Sequence, residues 1–317
     1  YQSLWNTPDE FTNLPKALRE KLAEELTWSG LTPETVLESK DGETVKTLFR
    51  LADDREIESV LMKYSERRTL CISTQAGCAM GCVFCATGQM GFKRHLTAGE
   101  IVAQVMYYAR ILKETGEHVT NVVVMGMGEP FHNYKNTLAA IDRLNDPEGL
   151  NLGARRFTIS TVGLVPMIRK FADEKRQINL AISLHAANDQ ERSSLLPVNR
   201  KYPIEEVLDA CRYYIEQTGR RVTFEWALIR DKNDTPEIAH QLASLLKGMM
   251  CHVNVIPLNP THQYAGQATT HERAQAFAEI LNNAGIPCTI RIRRGIDIQA
   301  GCGQLAIHEA SPRRVEH

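Results

Sequence analysis

Cys78, Cys82 and Cys85 stand in the pattern C-x-x-x-C-x-x-C, within Cys78-Ala79-Met80-Gly81-Cys82-Val83-Phe84-Cys85. Gly77 and Gly81 give this short loop the freedom to turn its thiols to one side. A four-iron cluster held by such a triad keeps one iron open for a substrate or cofactor. Two blander readings compete, structural zinc and buried packing. Zinc prefers four closed ligands, normally as two spaced pairs. No second C-x-x-C or H-x-x-x-H follows nearby, although His95 could complete a Cys3His set. Four of the eight cysteines fall within fifteen residues, in a chain with no recognisable leader. That pattern favours cofactor or thiol chemistry over a disulfide framework.

A second element, Met125-Gly126-Met127-Gly128-Glu129-Pro130, directly follows the apolar run Val122–Met125. Its glycines let the backbone approach a ligand, and Glu129 can accept from a cationic amine; a tight strand-to-helix turn is the alternative. Polar residues close three more apolar runs: Ser160, then Ser183-Leu184-His185, then Asn259. Each alone reads as a loop-capping hydrogen bond. In register around one barrel mouth they read as a shared ligand pocket. Two thiols lie apart from the triad. Cys71 precedes Cys78 by seven residues, and Cys302 lies in Ala300-Gly301-Cys302-Gly303-Gln304-Leu305. Glycine on both sides of Cys302 suits an accessible loop. Cys71 alone reads as a buried strand residue, and Cys211, Cys251 and Cys288 read as packing.

The elements that must position these residues alternate. Apolar, β-branched runs at 69–74, 121–125, 157–161, 178–184, 222–229, 253–258 and 289–292 are separated by amphipathic segments at 98–113, 134–144, 166–172, 204–216, 235–247 and 271–284. One order of strand and helix implies parallel strands with crossover helices, in a full or partial (β/α) barrel. Before it, 12–25 reads as a helix with Leu14, Leu18, Leu22 and Leu26 on one face, and 45–49 and 57–62 as short strands. A boundary is expected near residue 65, giving an accessory segment 1–65 and a catalytic domain 66–317. The 317 residues are 43% hydrophobic and 24% charged with a net charge of −1. This excludes disorder and a protein basic all over. No apolar run approaches the roughly 18 residues a membrane span needs. The N-terminus lacks an initiator Met and any secretory signature, so a cytoplasmic location is expected.

The triad, with Phe84 before its last cysteine, resembles the radical S-adenosylmethionine superfamily. That resemblance implies a [4Fe–4S] cluster on Cys78, Cys82 and Cys85, whose open iron takes S-adenosylmethionine, and a contact from the Gly128-Glu129 element to the methionine amino group. Leu70–Cys78, Cys85-Ala86-Thr87-Gly88, Gly126–Pro130, Ser183-Leu184-His185-Ala186, Ile256–Pro260 and Gly301–Leu305 occur together in order. Together they resemble the RlmN family of dual-specificity RNA methyltransferases over roughly Asn13 to Leu305. The implied fold is α/β, a partial (β/α)6 barrel with a small N-terminal helical and β extension. Gly128, Glu129, Ser160, Ser183, Leu184, His185 and Asn259 become S-adenosylmethionine contacts.

The resemblance also implies a mechanism. Cys302 is methylated, its methyl carbon is activated as a radical and adds to carbon 2 of adenine, and Cys71 resolves the protein–RNA adduct through a disulfide. Glu58, thirteen residues before Cys71, aligns with the proton acceptor; its bland reading is an exposed strand carboxylate. The implied partners are 23S rRNA, tRNA and an electron donor such as flavodoxin, with the chain a monomer. The related Cfr enzymes, which methylate carbon 8, usually carry Ala where this chain has Pro130. Two departures from RlmN stand out: most of a small N-terminal RNA-binding domain is missing, and Gly301 stands where Ala is common. Candidate phosphate contacts are Arg67-Arg68, Lys93-Arg94-His95, Arg155-Arg156, Arg220-Arg221 and, above all, Arg291, Arg293 and Arg294. Rival classes are a non-catalytic zinc-stabilised RNA-binding protein and a radical activase acting on a protein. A zinc deaminase lacks its H-x-E and P-C-x-x-C elements here.

Overall fold

The computed structural model describes residues 3–25, 30–261 and 263–305. A short helix, α1 (Lys16–Glu25), begins one residue after Pro15; Leu26 of the expected helical face lies outside the described residues. Three antiparallel strands follow, β1 (Leu31–Glu38), β2 (Thr44–Leu51) and β3 (Glu56–Lys63). β3 pairs antiparallel with β4 (Arg68–Cys71), so the segment around residue 65 is a turn inside one continuous sheet.

From β4 onward each neighbouring pair in that sheet is parallel: β7 (Asn121–Val124), β8 (Phe157–Thr161), β9 (Asn179–Ser183), β10 (Val222–Leu228), β11 (Cys251–Pro257) and the short β12 (Cys288–Ile290). The intervening β5 (Gln75–Gly77) and β6 (Phe92–His95) form a separate ribbon around the cysteine loop. The helices are α2 (Ala86–Gln89), α3 (Ala98–Glu114), α4 (Tyr134–Asn145), α5 (Val165–Asp173), α6 (Asp189–Leu195), α7 (Ile204–Thr218), α8 (Pro236–Leu246) and α9 (His271–Asn283). Among the described residues the barrel therefore runs through six strand–helix units, and β12 is its last strand. Sheet order follows chain order without a pairing of β12 to β4 among the described residues. The result is the expected open barrel, extended on one side by β1–β3.

Burial explains why these residues make these strands. Val122, Val124, Ile159, Leu180, Ile182, Phe224, Val253 and Val255 are buried, as expected for parallel strands covered by helices. Helix starts are marked chemically: Thr97 caps α3 in a reciprocal box with Glu100, and Thr235 and Thr270 cap α8 and α9. Three features differ from the sequence reading. β1 was not expected, because Pro33 and its charged neighbours break an apolar pattern; the strand tolerates them as a sheet edge with a register shift between Pro33 and Thr35. The β5–β6 ribbon and the seven-residue α6 are too short to show a period. Among the described residues no helix is long and apolar enough to cross a membrane.

Candidate active site

The cysteine loop springs from β5 and is closed at its base by the ribbon. Gly77 has φ +73°, and a side chain there would put Cβ 1.9 Å from the Gly91 carbonyl oxygen, so only glycine lets the loop turn beside β6. Cys78 N donates to that same oxygen at 3.1 Å, and Val83 N donates to Leu195 O at 3.1 Å. Cys85 caps α2. All three thiols line one cavity of about 160 Å³ at the C-terminal ends of the barrel strands. Burial pushes the Cys78 thiol up to about 12 and raises Cys82 and Cys85, with the neighbouring cysteine sulfurs adding to the rise at each.

The strand ends supply the opposite wall. Gly128 has φ +102°, and a Cβ there would lie 2.5 Å from Gln75 Cβ, so the turn after β7 is packed directly on the cysteine ribbon. Glu129 N donates to Gln75 Oε1 at 2.8 Å. The Glu129 carboxylate accepts from Phe131 N and Val162 N, each at 2.9 Å, joining the ends of β7 and β8. Ser160 and Ser183 face each other with Oγ atoms 3.5 Å apart. His185 takes a left-handed φ of +60°, and its Nδ1 accepts from Ala227 N at 2.9 Å. That bond leaves the ring proton on Nε2, and burial holds the imidazole down at about 3, so it is neutral at physiological pH. Phe84 meets the His185 ring edge-on at 5.0 Å.

Burial raises Glu129 to about 7 despite its backbone donors. A glutamate in the unfolded chain titrates near 4.3. Between those values the folded chain holds a proton that the unfolded chain releases, so stability falls as pH rises through this window, by about 4 kcal/mol. Urea unfolding of the cluster-free protein should show that loss between about pH 4 and pH 7, and Glu129→Gln should abolish it. An unchanged slope in the variant would remove Glu129 as its source.

The last described loop, which carries Cys302, lies on the cysteine loop. Ala86 N donates to Gly303 O at 2.8 Å and Thr87 Oγ1 to Leu305 O at 2.6 Å. Asn259 Nδ2 donates to Cys302 O at 3.0 Å, while Gln304 bridges Gly301 N and Pro260 O, both at 3.0 Å. Cys302 is exposed and lines two cavities. One is the cavity of the cysteine triad; the other, about 50 Å³, also holds the buried Cys71. All eight cysteines are free thiols in the structure.

The residues present fit an iron–sulfur cluster with a small polar ligand. Among the described residues no three His, Cys, Asp or Glu side chains converge on the single point one metal ion requires. Three thiols lining one cavity suit a cluster that takes each on a different iron. Buried, mutually repelling thiols also need a strongly cationic group to become thiolates. Asn259 Oδ1 is buried and has no partner, although it belongs to a residue of this cavity, so the site holds an acceptor awaiting a donor. His95 is not part of it: its Nδ1 accepts from Gln75 Nε2 at 3.0 Å and its ring lies against His132, which removes the fourth ligand of the zinc reading.

Comparison with known proteins gives the same site a lineage. Residues 72–243 match the model of the Radical SAM superfamily. A crystal structure of a radical SAM methyltransferase from Sphaerobacter thermophilus superposes with a TM-score of 0.94 at 54% identity, over 96% of this chain and 89% of that one. Dual-specificity RNA methyltransferase RlmN 1 of Myxococcus xanthus is 54% identical over 305 residues, which is 96% of this chain and 85% of that protein. A probable RlmN of Chloroflexus aurantiacus is 50% identical over 323 residues, 98% of this chain and 86% of that protein. This chain belongs to the RlmN family. Like other RlmN proteins it is thus an enzyme of the radical S-adenosylmethionine class, using a [4Fe–4S] cluster and S-adenosylmethionine.

Of the residues the RlmN resemblance named, Cys78, Cys82, Cys85, Gly128, Glu129, Ser160, Ser183, His185, Asn259 and Cys302 all line the triad's cavity. Leu184 does not. Its side chain is fully buried in the core between two neighbours that face the cavity, so a contact from Leu184 to the cofactor would come from its backbone. Glu58 lines neither cavity. It is buried rather than exposed, and Lys46 Nζ lies 2.9 Å from its Oε1. Two residues that build the walls of the barrel here were missed in the sequence. Glu225 lies inside the barrel, accepting from Asn254 Nδ2 at 3.0 Å and facing Arg291 at 3.5 Å; the signal was a lone acid within the apolar run 222–229. Arg192, fully buried, donates to the carbonyls of Val162, Ser183 and Leu184 and so ties β8 to β9; nothing in its polar helix marked it.

Proposed function

We propose that this chain methylates carbon 2 of adenosine in 23S rRNA and tRNA, with Cys302 as the carrier of the one-carbon unit. Support comes from the family and from one observation above all: Cys302 borders both the triad's cavity and the cavity of Cys71. Carbon 2 of adenine lies between two ring nitrogens and is not nucleophilic, so polar transfer from a sulfonium has no adequate attacking group. When bound, the cluster and S-adenosylmethionine supply the methyl group and the one-electron chemistry that activates it.

The chain's own residues would do the rest. Cys78, Cys82 and Cys85 hold the cluster, and Gly128, Glu129, Ser160, Ser183, His185 and Asn259 orient the cofactor. Cys302 accepts the methyl as a thioether, and its carbon becomes bonded to adenine. The Cys71 thiolate then attacks the Cys302 sulfur. The electron pair of the broken C–S bond leaves with the carbon, which takes up a proton as the RNA methyl group, and the two sulfurs remain as a disulfide for external thiols to reduce. Burial, and then the charge of Cys302, raise the Cys71 thiol. Arg291 lines the same cavity and its charge acts on both sulfurs, favouring the attacking thiolate. Glu58 is the proton acceptor through an intermediary, a bridging water or Lys46, because it stands back from the cavity. Lys46 also reaches Gln299 O at 3.4 Å, on the loop that leads to Cys302. Residues 1–65 serve as the accessory segment, and a flavodoxin-like donor supplies electrons to a cytoplasmic monomer.

Mass spectrometry of nucleosides from RNA treated anaerobically with the reconstituted enzyme tests the reading. 2-Methyladenosine is expected. 8-Methyladenosine would move the chain to Cfr chemistry, and unmodified RNA in the presence of an intact cluster would refute methyl transfer.

A further inference from the structure

The barrel has a second end, and it is chemically unlike the first. A third cavity, about 1050 Å³ and open to solvent, is lined by residues at the starts of the strands, among them Asn121, Thr158, Asn179 and Thr223. Met125, Glu225 and Arg291 belong both to this cavity and to that of the triad, while Tyr64, Val123 and Ile292 link it to the cavity of Cys71 and Cys302. The three cavities therefore adjoin along the barrel lumen, with these residues as shared walls, from the triad past the two thiols to a mouth at the starts of the strands.

That mouth is cationic. Arg67, Arg155, Arg220, Arg221 and Arg291 line it against a single carboxylate, Glu225, which Arg291 already faces. Neighbouring members of the same basic pairs and cluster are tied down: Arg68 to Glu117, Arg94 to Asp53 and Glu100, Arg294 to Glu43. Among the described residues Arg67, Arg155, Arg220 and Arg221 form no ion pair. Arg155 and Arg220 donate instead to neutral amides, Gln177 and Asn179. In a chain of net charge −1 this is a local excess of unpaired positive charge. Tyr64 lies at its edge between Arg67 and Arg294, whose guanidinium carbons are 4.8 and 4.3 Å from the ring centre, and Ile292 beside it is 82% exposed. Planar and apolar surface next to unpaired arginines is what an unstacked base with flanking phosphates requires.

We propose that the RNA enters through this mouth, opposite the cluster, with Arg67, Arg155 and Arg221 holding backbone phosphates while the target adenine passes inward beside Arg291 towards Cys302; this rests on the methyltransferase reading above. An acidic redox protein would be drawn by the same charges. It must approach the cluster, however, and the triad lines the other end of the lumen.

The test uses the anaerobically reconstituted holoenzyme and a fluorescent RNA stem-loop with an unpaired loop adenosine. In Arg67→Ala/Arg155→Ala/Arg221→Ala the Kd should rise roughly ten-fold or more, and the log–log salt slope should fall by about two, at ~0.7 per lost single-strand phosphate contact. Arg220 is left in place because its amide bonds join β9 to the start of β10. Melting temperature and cluster absorbance report folding, Arg155→Glu alone should weaken binding if the triple variant does not fold, and Arg169→Ala on α5 should bind as wild type does. Unchanged Kd and slope in a folded variant, with wild type still methylating the stem-loop, overturn the mouth assignment alone. Wild-type enzyme that neither binds nor methylates RNA overturns the underlying reading and this inference together. Unchanged RNA affinity with slowed cluster reduction by flavodoxin would give the mouth to the reductant.

Discussion

Cys302→Ala should reduce RNA methylation by at least about three orders of magnitude while iron content and cluster absorbance stay at wild-type levels. The geometry separates the two effects. The loop is held by Asn259 on the Cys302 backbone carbonyl, by Gln304 on Gly301 and Pro260, and by α2 on Gly303 and Leu305. None of these bonds uses the Cys302 sulfur, so alanine preserves the loop and removes only the thiol. Because the side chain is exposed, its loss leaves no buried cavity. Methylated RNA from the variant would remove the carrier role, and loss of the cluster would make Cys302 a cluster residue instead. Liquid chromatography of digested RNA and optical spectroscopy of the same sample read both.

Cys71→Ala has an equally large expected effect on turnover but a different signature, an RNA-linked protein that ribonuclease shortens and denaturing gels resolve. Its sulfur shares a cavity with Cys302, so the adduct forms as before and has no thiol to release it. Burial raises the Cys71 thiol, so the attacking thiolate is scarce at neutral pH and adduct release in the wild type should accelerate as pH rises. The variant should lose that acceleration. Steady turnover by Cys71→Ala would exclude it as the resolving thiol, and the modest packing loss at this small buried site cannot imitate a trapped adduct.

What could be read in advance follows a physical line. Apolar and β-branched residues dominate β7, β8, β9 and β10 and most of β11, so these strands were visible, as were the turns after β7 and β11 that carry Glu129 and Asn259. The triad was visible because its spacing alone brings its thiols together. Relations set by sheet register were not. Lys46 and Glu58 sit diagonally on adjacent antiparallel strands, Lys46 opposite Val60 and Glu58 opposite Leu48, and only that pairing turns an apparently exposed acid into a buried ion pair. Leu184 shows the reverse: its neighbours face the cavity, and alternation along the chain sends it to the core. The cationic mouth depends on which arginines find carboxylates. Arg68 and Arg94 do and Arg67 and Arg221 do not, although all four stand in similar basic pairs in the sequence.

The central claim is that the carbon delivered to RNA first resides on Cys302. Incubating the enzyme with methyl-deuterated S-adenosylmethionine, then sequencing its peptides by mass spectrometry, should find deuterium on the Cys302 sulfur and afterwards in the RNA methyl group. Deuterated RNA from enzyme whose Cys302 peptide never carries the label would contradict it.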